Sequence, residues 1–556
     1  YKTNSYGMHP FYMGLEKTAD AHGVLLLNSN AMDVTLQPTP ALTYRTVGGI
    51  LDFYMVLGPT PEMVVQEYTQ LIGRPVLPAY WTLGFQLCRY GYANDSEIED
   101  LYNSMRAAGI PYDVQYADID YMDRQLNFVL DSEFSKLPAL VERIQDEGGR
   151  FIIILDPAIS GNETVPYPAF DRGVADDVFI KWPKNLSDEI VWGKLYRSYT
   201  AFPDFLRPAT AKWWFQEIKD FYDKIMKFDG LWIIHLPVID LILFCKFRKS
   251  SASLSRICVC TPPLALESRY LGLNHKTLCM NSEQILSDGK KVRHYDVHSL
   301  YGWSQTQPTY DAMLNVTGKR GIVVTRSTFP SSGKWAGHWL GDNTAGWDQL
   351  YKSIIGIWEG ICGEGLHCDL CNWTIYFFLY RHDGVQPVWY LLYPVAWDAQ
   401  FANYSRDVLN IRYSLLPYLY TLMFEAHTKG STVIRPMLHE FVQDTNTWNI
   451  HKQFLWGPAM LITPALDKGV VNVEGYIPDA RWYDFHTTRE IGVRRQNLIM
   501  PTPLHHINLH VRGGYILPWQ KPENTTHFSR KNPLGLIVAL SDNGTAQGSL
   551  FWDDGE

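Results

Sequence analysis

Tyr112-Asp113-Val114-Gln115-Tyr116-Ala117-Asp118 and Gly149-Arg150-Phe151-Ile152-Ile153-Ile154-Leu155-Asp156 are short apolar runs that each close on a carboxylate, with a helical pattern from Ser132 to Glu147 between them. Runs apolar on consecutive residues cannot leave one face in water, so they read as strands covered on both sides, over Tyr112–Tyr116 and Gly149–Leu155. Strand, helix, strand in that order is the parallel βαβ unit. The same rhythm extends outward in both directions. Upstream stand a strand at Thr82–Leu87 and a helix at Asp95–Ala108. Downstream come a helix at 211–227, strands at Leu231–Ile234 and Gly321–Thr325, and a helix at Trp347–Trp358. Sustained alternation of this length predicts an α/β fold, a (β/α)8 TIM-type barrel.

Residues outside the barrel alternate short apolar runs with turn residues, as in Gly23–Leu27 and Gly49–Val56 before it, and are strand-rich with Gly and Pro punctuation after it. They predict β-sandwich domains flanking the barrel on its N-terminal and C-terminal sides. The expected division is an N-terminal sandwich over 1–76, incomplete at its start, and the barrel over 77–430, with long insertions at 158–208 and 235–319. A proximal C-terminal sandwich over 431–518 and the truncated beginning of a distal β domain over 519–556 follow. A helix from Ser405 to Lys429 closes the barrel, with Gly430 as its left-handed C-cap.

Composition narrows the function. With 46% hydrophobic and 19% charged residues the 556-residue chain is globular. A formal charge of -9 and the lack of a dense Lys/Arg run offer nothing to a polyanion, so nucleic acid is excluded as a partner. Leu231–Phe247 is apolar but contains His235, Pro237 and Asp240, and reads as a buried strand and its continuation rather than a membrane span. Sequons at Asn94, Asn162, Asn185, Asn315, Asn372, Asn403, Asn524 and Asn543 point to a luminal or extracellular glycoprotein. Eight cysteines are compatible with two or three disulfides. Cys368-Asp369-Leu370-Cys371 lacks a second pair at metal spacing, so no metal is expected, and no cofactor motif is present. His506 and His510, alternating with Ile507, Leu509 and Val511, read as the polar face of a strand.

In a barrel of this type, reactive groups project from the C-terminal strand ends. Those ends carry Asp118, Asp156 and Arg326, together with Asp342 in Trp335-Ala336-Gly337-His338-Trp339-Leu340-Gly341-Asp342. Each Asp alone is equally a loop cap. Several carboxylates with an Arg and Trp residues at one mouth fit glycoside hydrolysis, where one carboxyl protonates the leaving oxygen and another attacks or activates water.

These motifs, with Trp81–Tyr92, Tyr301–Thr306, Thr325–Pro330 and His510–Trp519, make the chain resemble glycoside hydrolase family 31. The resemblance implies a retaining α-glucosidase acting on terminal α-linked glucose in substrates such as maltose, maltooligosaccharides or isomaltose. It implies Asp342 as general acid/base, with Asp118, Trp232, Arg326 and Trp339 as contacts in the first sugar subsite and His382 as a sugar-binding histidine. It also implies a cell-surface location, with membrane association only through a segment outside residues 1–556.

The chain departs from the family at one decisive place. Where the family carries Trp-Ile-Asp-Met-Asn-Glu, this sequence reads Trp232-Ile233-Ile234-His235-Leu236-Pro237, so Ile234 stands at the nucleophile position. Isoleucine has neither a lone pair for attack nor a charge to stabilise an oxocarbenium ion. Asp240, the nearest downstream carboxylate, lies up to ~20 Å away along an extended chain, whereas a retaining pair needs carboxyls ~5–5.5 Å apart. His235–Cys260 and 359–392 also match nothing in the family, the second where a seventh strand is expected, a pattern fitting exon mis-joining or a frameshift. Three readings remain open: an α-glucosidase, a catalytically silent carbohydrate-binding homologue, and a product that does not fold.

Overall fold

The computed structural model describes residues 5–38, 41–195, 198–234, 277–341, 346–363 and 394–556. Its centre is one sheet of six parallel strands: Gln86–Leu87, Val114–Ala117, Arg150–Leu155, Gly230–Ile233, Val323–Thr325 and Gly337–His338, adjacent in chain order. Their interiors are buried almost without exception, as their unbroken apolar runs require. Helices Asp95–Ala107, Leu137–Asp146, Pro208–Lys224 and Tyr301–Thr317 connect successive strands, giving the βα order of a barrel. Helix Tyr301–Thr317 lies within the span expected as the second insertion and serves as the crossover into the fifth strand. The Trp214 indole N–H donates to Thr309 Oγ1 at 3.0 Å and ties it to helix Pro208–Lys224.

Two expected elements take a different form. Thr82–Leu87 is not one strand: Tyr80–Leu83 is a 3-10 turn, and only Gln86–Leu87 joins the sheet. The backbone here is satisfied by side chains, since Arg412 donates to the Leu83 carbonyl and the Phe85 N–H donates to Tyr413 Oη at 2.8 Å. The helix expected over Ser405–Lys429 is two helices, Ala399–Ser414 and Leu416–Lys429. Pro417 has no N–H to continue the first helix, and it suits the opening turn of the second. Gly430 ends that second helix at φ 76°, the left-handed cap expected.

On the N-terminal side, Ala21–Leu26 pairs antiparallel with Phe11–Leu15 and Phe53–Gly58, and helix Pro61–Ile72 covers one face through Val64 and Tyr68. On the C-terminal side, a five-stranded antiparallel sheet and the Asn472–Ile477/Gln496–Pro501 pair enclose Leu455, Leu461, Ile477 and Trp482. His510 is not on a polar face. Strand Asn508–Arg512 is covered on both sides, leaving His510 2% exposed.

The strand entrances are held by polar joints. Asp113, before the second strand, accepts from Tyr413 Oη, from the Thr526 hydroxyl and from the Thr526 N–H at 2.9 Å. Burial raises its pKa to about 6 even so. Residues 551–556 lie across the same end. Phe551 stacks on Phe424 at 3.7 Å, and the Arg530 guanidinium sits 4.0 Å from the Trp552 ring and 4.3 Å from that of Tyr80. Arg320 donates to Asp553 at 2.7 Å and Arg150 to Glu556 at 2.7 Å. Both arginines sit at the entrance of a barrel strand.

Trp552→Ala should therefore lower the urea midpoint of the barrel by the equivalent of about 2–3 kcal/mol, less than a fully buried Trp because part of the ring is in water. An unchanged midpoint would show that this segment does not clamp the strand entrances. His510 supplies a pH effect. Burial holds its pKa down to about 4, and His486 and His506 push the same way against Asp484. Its contribution is complete above the ordinary value near 6.5 and is lost as pH falls towards 4, because the unfolded chain takes a proton that the folded one refuses. Melting curves of His510→Gln between pH 6.5 and 4 should fall less steeply than those of the parent; parallel slopes would contradict this.

Candidate active site

The parallel ladder sets which residues share a level. Leu155 pairs with Ile233, Ile233 with Thr325, and Thr325 with His338. The next residue on each strand is therefore Asp156, Ile234, Arg326 and Trp339, four neighbours in a row at the C-terminal ends. Ala117 pairs with Ile153, so Asp118 follows two positions earlier on the staggered second strand.

Side-chain packing draws most of this row together. Trp232 and Trp339 meet edge to face at 5.0 Å, and Tyr116 meets Trp232 at 5.9 Å. Arg326 is fully buried, with its guanidinium carbon 5.5 Å from the Trp339 ring centre. Trp339 is half-buried, its N–H donating to the Thr325 carbonyl at 3.1 Å. Asp118 is half-buried and accepts from the Ile119 N–H at 2.7 Å, so the loop-cap reading is realised. Asp156 is 3% exposed, with its backbone N–H and carbonyl both bound by the Asn127 carboxamide. Ile234 is 7% exposed and forms part of the core beneath the mouth. Asp342, His382 and the Cys368/Cys371 pair lie outside the described residues, as does Asp240.

Tyr6 is the site residue that sequence reading missed. The Arg326 guanidinium carbon lies 3.9 Å from the Tyr6 ring centre. The segment bearing it is anchored to the loop after the fifth strand: Ser327 Oγ donates to the Tyr6 carbonyl, the Met8 N–H donates to the Thr328 carbonyl at 3.0 Å, and His9 bonds Thr328 Oγ1 at 2.8 Å. Gly7 is required there, since a Cβ would fall 2.5 Å from Thr328 Oγ1. Gly341, at φ 112°, passes against both Tyr6 and Arg326. No local signal marks a tyrosine more than 300 residues from its partner.

Together these residues bring a buried cation near two aromatic rings, a half-buried carboxylate and an edge-to-face Trp pair to one end of the strands. That is a mouth suited to a polyhydroxylated ring, with aromatic faces for C–H groups and charged groups for hydroxyls. Among the described residues no three His, Cys, Asp or Glu side chains gather as a metal site.

Six parallel strands with crossover helices and polar residues at their C-terminal ends define a β/α-barrel of enzyme type. The glycosyl hydrolases family 31 TIM-barrel domain matches residues 75–368 and the family's C-terminal domain matches 430–517, and the chain belongs to this family. It is 54% identical over 600 residues to intestinal sucrase-isomaltase of Oryctolagus cuniculus, with the whole chain covering 32% of that protein. It is 54% identical to probable maltase-glucoamylase 2 of Homo sapiens, covering 24% of it, and 39% identical to lysosomal alpha-glucosidase of Rattus norvegicus, covering 60%. The chain thus spans about a third or less of the intestinal relatives. Among solved structures, the DNJ-bound glucosidase II alpha subunit superposes with a TM-score of 0.81 at 25% identity, over 99% of this chain and 59% of that one.

Replacing Tyr6 by Leu removes one aromatic face from Arg326, an interaction worth about 1 kcal/mol or more when desolvated. Affinity for an iminosugar glucose mimic, read by calorimetric titration, should drop roughly three- to tenfold, with Tyr6→Phe close to the parent. Equal affinity in all three proteins would remove Tyr6 from the site.

Proposed function

We propose that this chain is a family 31 α-glucosidase-type barrel that binds terminal α-linked glucose at its mouth and is disabled for hydrolysis at Ile234. The observation that carries this is the row Asp156, Ile234, Arg326, Trp339: the fourth strand delivers an alkyl group to the centre of a site whose neighbours are polar or aromatic. Retention needs a carboxylate to attack the anomeric carbon while an acid protonates the leaving oxygen, after which water releases the sugar. In this reading Asp342 is the acid, Asp118 holds sugar hydroxyls, Arg326 and Trp339 complete the subsite, and Trp232 packs behind it. General acid help alone gives ~10²–10⁴-fold, far below the ~10⁶–10¹⁷-fold of enzymes. The alignment to the rabbit relative is longer than this chain, so that relative carries residues absent here, in keeping with lost segments around the fourth and seventh strands.

A hydrolytic alternative has one observation behind it. Asp156 occupies the position next to Ile234 on the adjacent strand, at the ~4.8 Å spacing of paired strands. Maltose, longer maltooligosaccharides and isomaltose are the proposed ligands. A luminal or extracellular location is supported by the sequons, six of whose asparagines (162, 185, 315, 403, 524 and 543) are exposed. Among the described residues no helix is long and apolar enough to cross a membrane.

Cooperatively folded protein should bind maltose but release no aryl alcohol from an aryl α-glucoside, and Ile234→Asp should generate turnover that Asp342→Asn then abolishes. Turnover by the parent chain that Asp156→Asn removes would transfer the nucleophile to Asp156 and overturn the silent-mouth reading.

A further inference from the structure

Outside the barrel mouth, helices Pro208–Lys224 and Tyr301–Thr317 diverge around a cleft of about 770 Å³ on the outer wall. None of Asp118, Trp232, Ile234, Arg326 or Trp339 lines it. Its volume falls within the range of small-molecule sites. Four aromatic residues line it: Phe205 just before the first helix, Phe215 within it, Trp303 from the second, and Trp335 from the loop after the fifth strand, with the two indoles inclined at 68° and 5.9 Å apart. Trp303 is held in place, its indole N–H donating to Ser331 Oγ at 2.9 Å.

The polar lining is equally particular. Gln307, Asp311 and Asn315 succeed one another at four-residue steps below Trp303, so one face of the helix presents a carboxamide, a carboxylate and a carboxamide to the cleft. All three are exposed. Pro308, also in the lining, has no N–H for the Ser304 carbonyl, which loosens the helix where the cleft is deepest in aromatic groups. Flat apolar faces beside planar, bidentate polar groups match a pyranose ring, whose C–H faces stack and whose neighbouring hydroxyls pair with amides and carboxylates. Two carboxylates, Asp288 and Asp311, balance the two cations of the lining, Arg207 and Lys212, and Arg207 is already paired with Asp177, so the cleft holds no net positive charge for a nucleotide or phosphate. From Trp303 to Asn315 the helix runs about 18 Å, room for a short oligosaccharide rather than a single sugar.

We propose that this cleft is a second saccharide site, separate from the barrel mouth, which takes a short pyranose chain. The choice of saccharide rests on the function proposed above. The chain has two sources. One is a free maltooligosaccharide. The other is the protein's own N-glycan, because Asn315-Val316-Thr317 is a sequon and Asn315 stands on the cleft rim.

Calorimetric titration of maltotetraose into protein made in an N-glycosylating host, as the parent and as Asn315→Gln, tests this. In Asn315→Gln two binding events are expected. Trp339→Ala should remove the mouth event. Trp303→Ala or Gln307→Ala should weaken the other at least about tenfold and spare the mouth; Gln307 is exposed, so that variant keeps the test open if loss of Trp303 impairs folding. A second event already present in the glycosylated parent identifies a free oligosaccharide as the occupant, and its appearance only in Asn315→Gln identifies the attached glycan. If the mouth event is missing while the cleft event responds, the mouth reading fails and the cleft stands. No event in Asn315→Gln that responds to Trp303→Ala or Gln307→Ala overturns the proposal.

Discussion

Parallel pairing from the third to the sixth strand in a single register is the constraint on which the site depends. Because Leu155, Ile233, Thr325 and His338 are locked side by side, each strand delivers its next residue to the same level. A slip of one residue in any strand would turn the delivered side chain to the other face. Register therefore converts four distant sequence positions into one row and makes the identity of residue 234 a matter of chemistry rather than packing. The isoleucine there is well accommodated as core. What it lacks is charge.

The opposite end of the strands shows how that register is held. Asp113 joins the second strand to Tyr413 and Thr526, and Tyr413 also takes the Phe85 N–H, so one buried carboxyl links the barrel to the helix behind it and to the C-terminal region. Arg150 and Arg320, at two strand entrances, are gripped by Glu556 and Asp553. Glu62 makes a comparable joint between the N-terminal helix and the C-terminal sheet. Burial opposes its charge, but His439, Arg435 and Thr432 outweigh it and hold its pKa at about 2. Such joints place stability at the strand entrances, the end of a barrel opposite to the one where reactive groups project.

Aromatic residues serve both purposes here. Tyr116, Trp232 and Trp339 pack against one another at the C-terminal strand ends, and Tyr6 reaches the neighbouring Arg326 from the N-terminal segment of the chain. Asp118 is a loop cap, and the proposed role as a site carboxylate does not conflict with that.

The sequence by itself determined the parallel strands, because runs such as Phe151–Leu155 can only be buried on both faces, and it determined the carboxylates and arginine that end them. It also determined that position 234 carries an alkyl group, to which no fold can give a lone pair. It misjudged places where distant groups outweigh local propensity. Thr82–Leu83 turns because Arg412 takes its carbonyl, and His510 is buried because a second layer covers its strand. Pro417 was a local signal for the helix break that the surrounding apolar run obscured. Tertiary structure alone decided that Tyr6 faces Arg326 and that Trp303 and Trp335 share a cleft. Contacts between residues hundreds of positions apart, or between a helix and a loop, leave no periodicity in the chain that makes them.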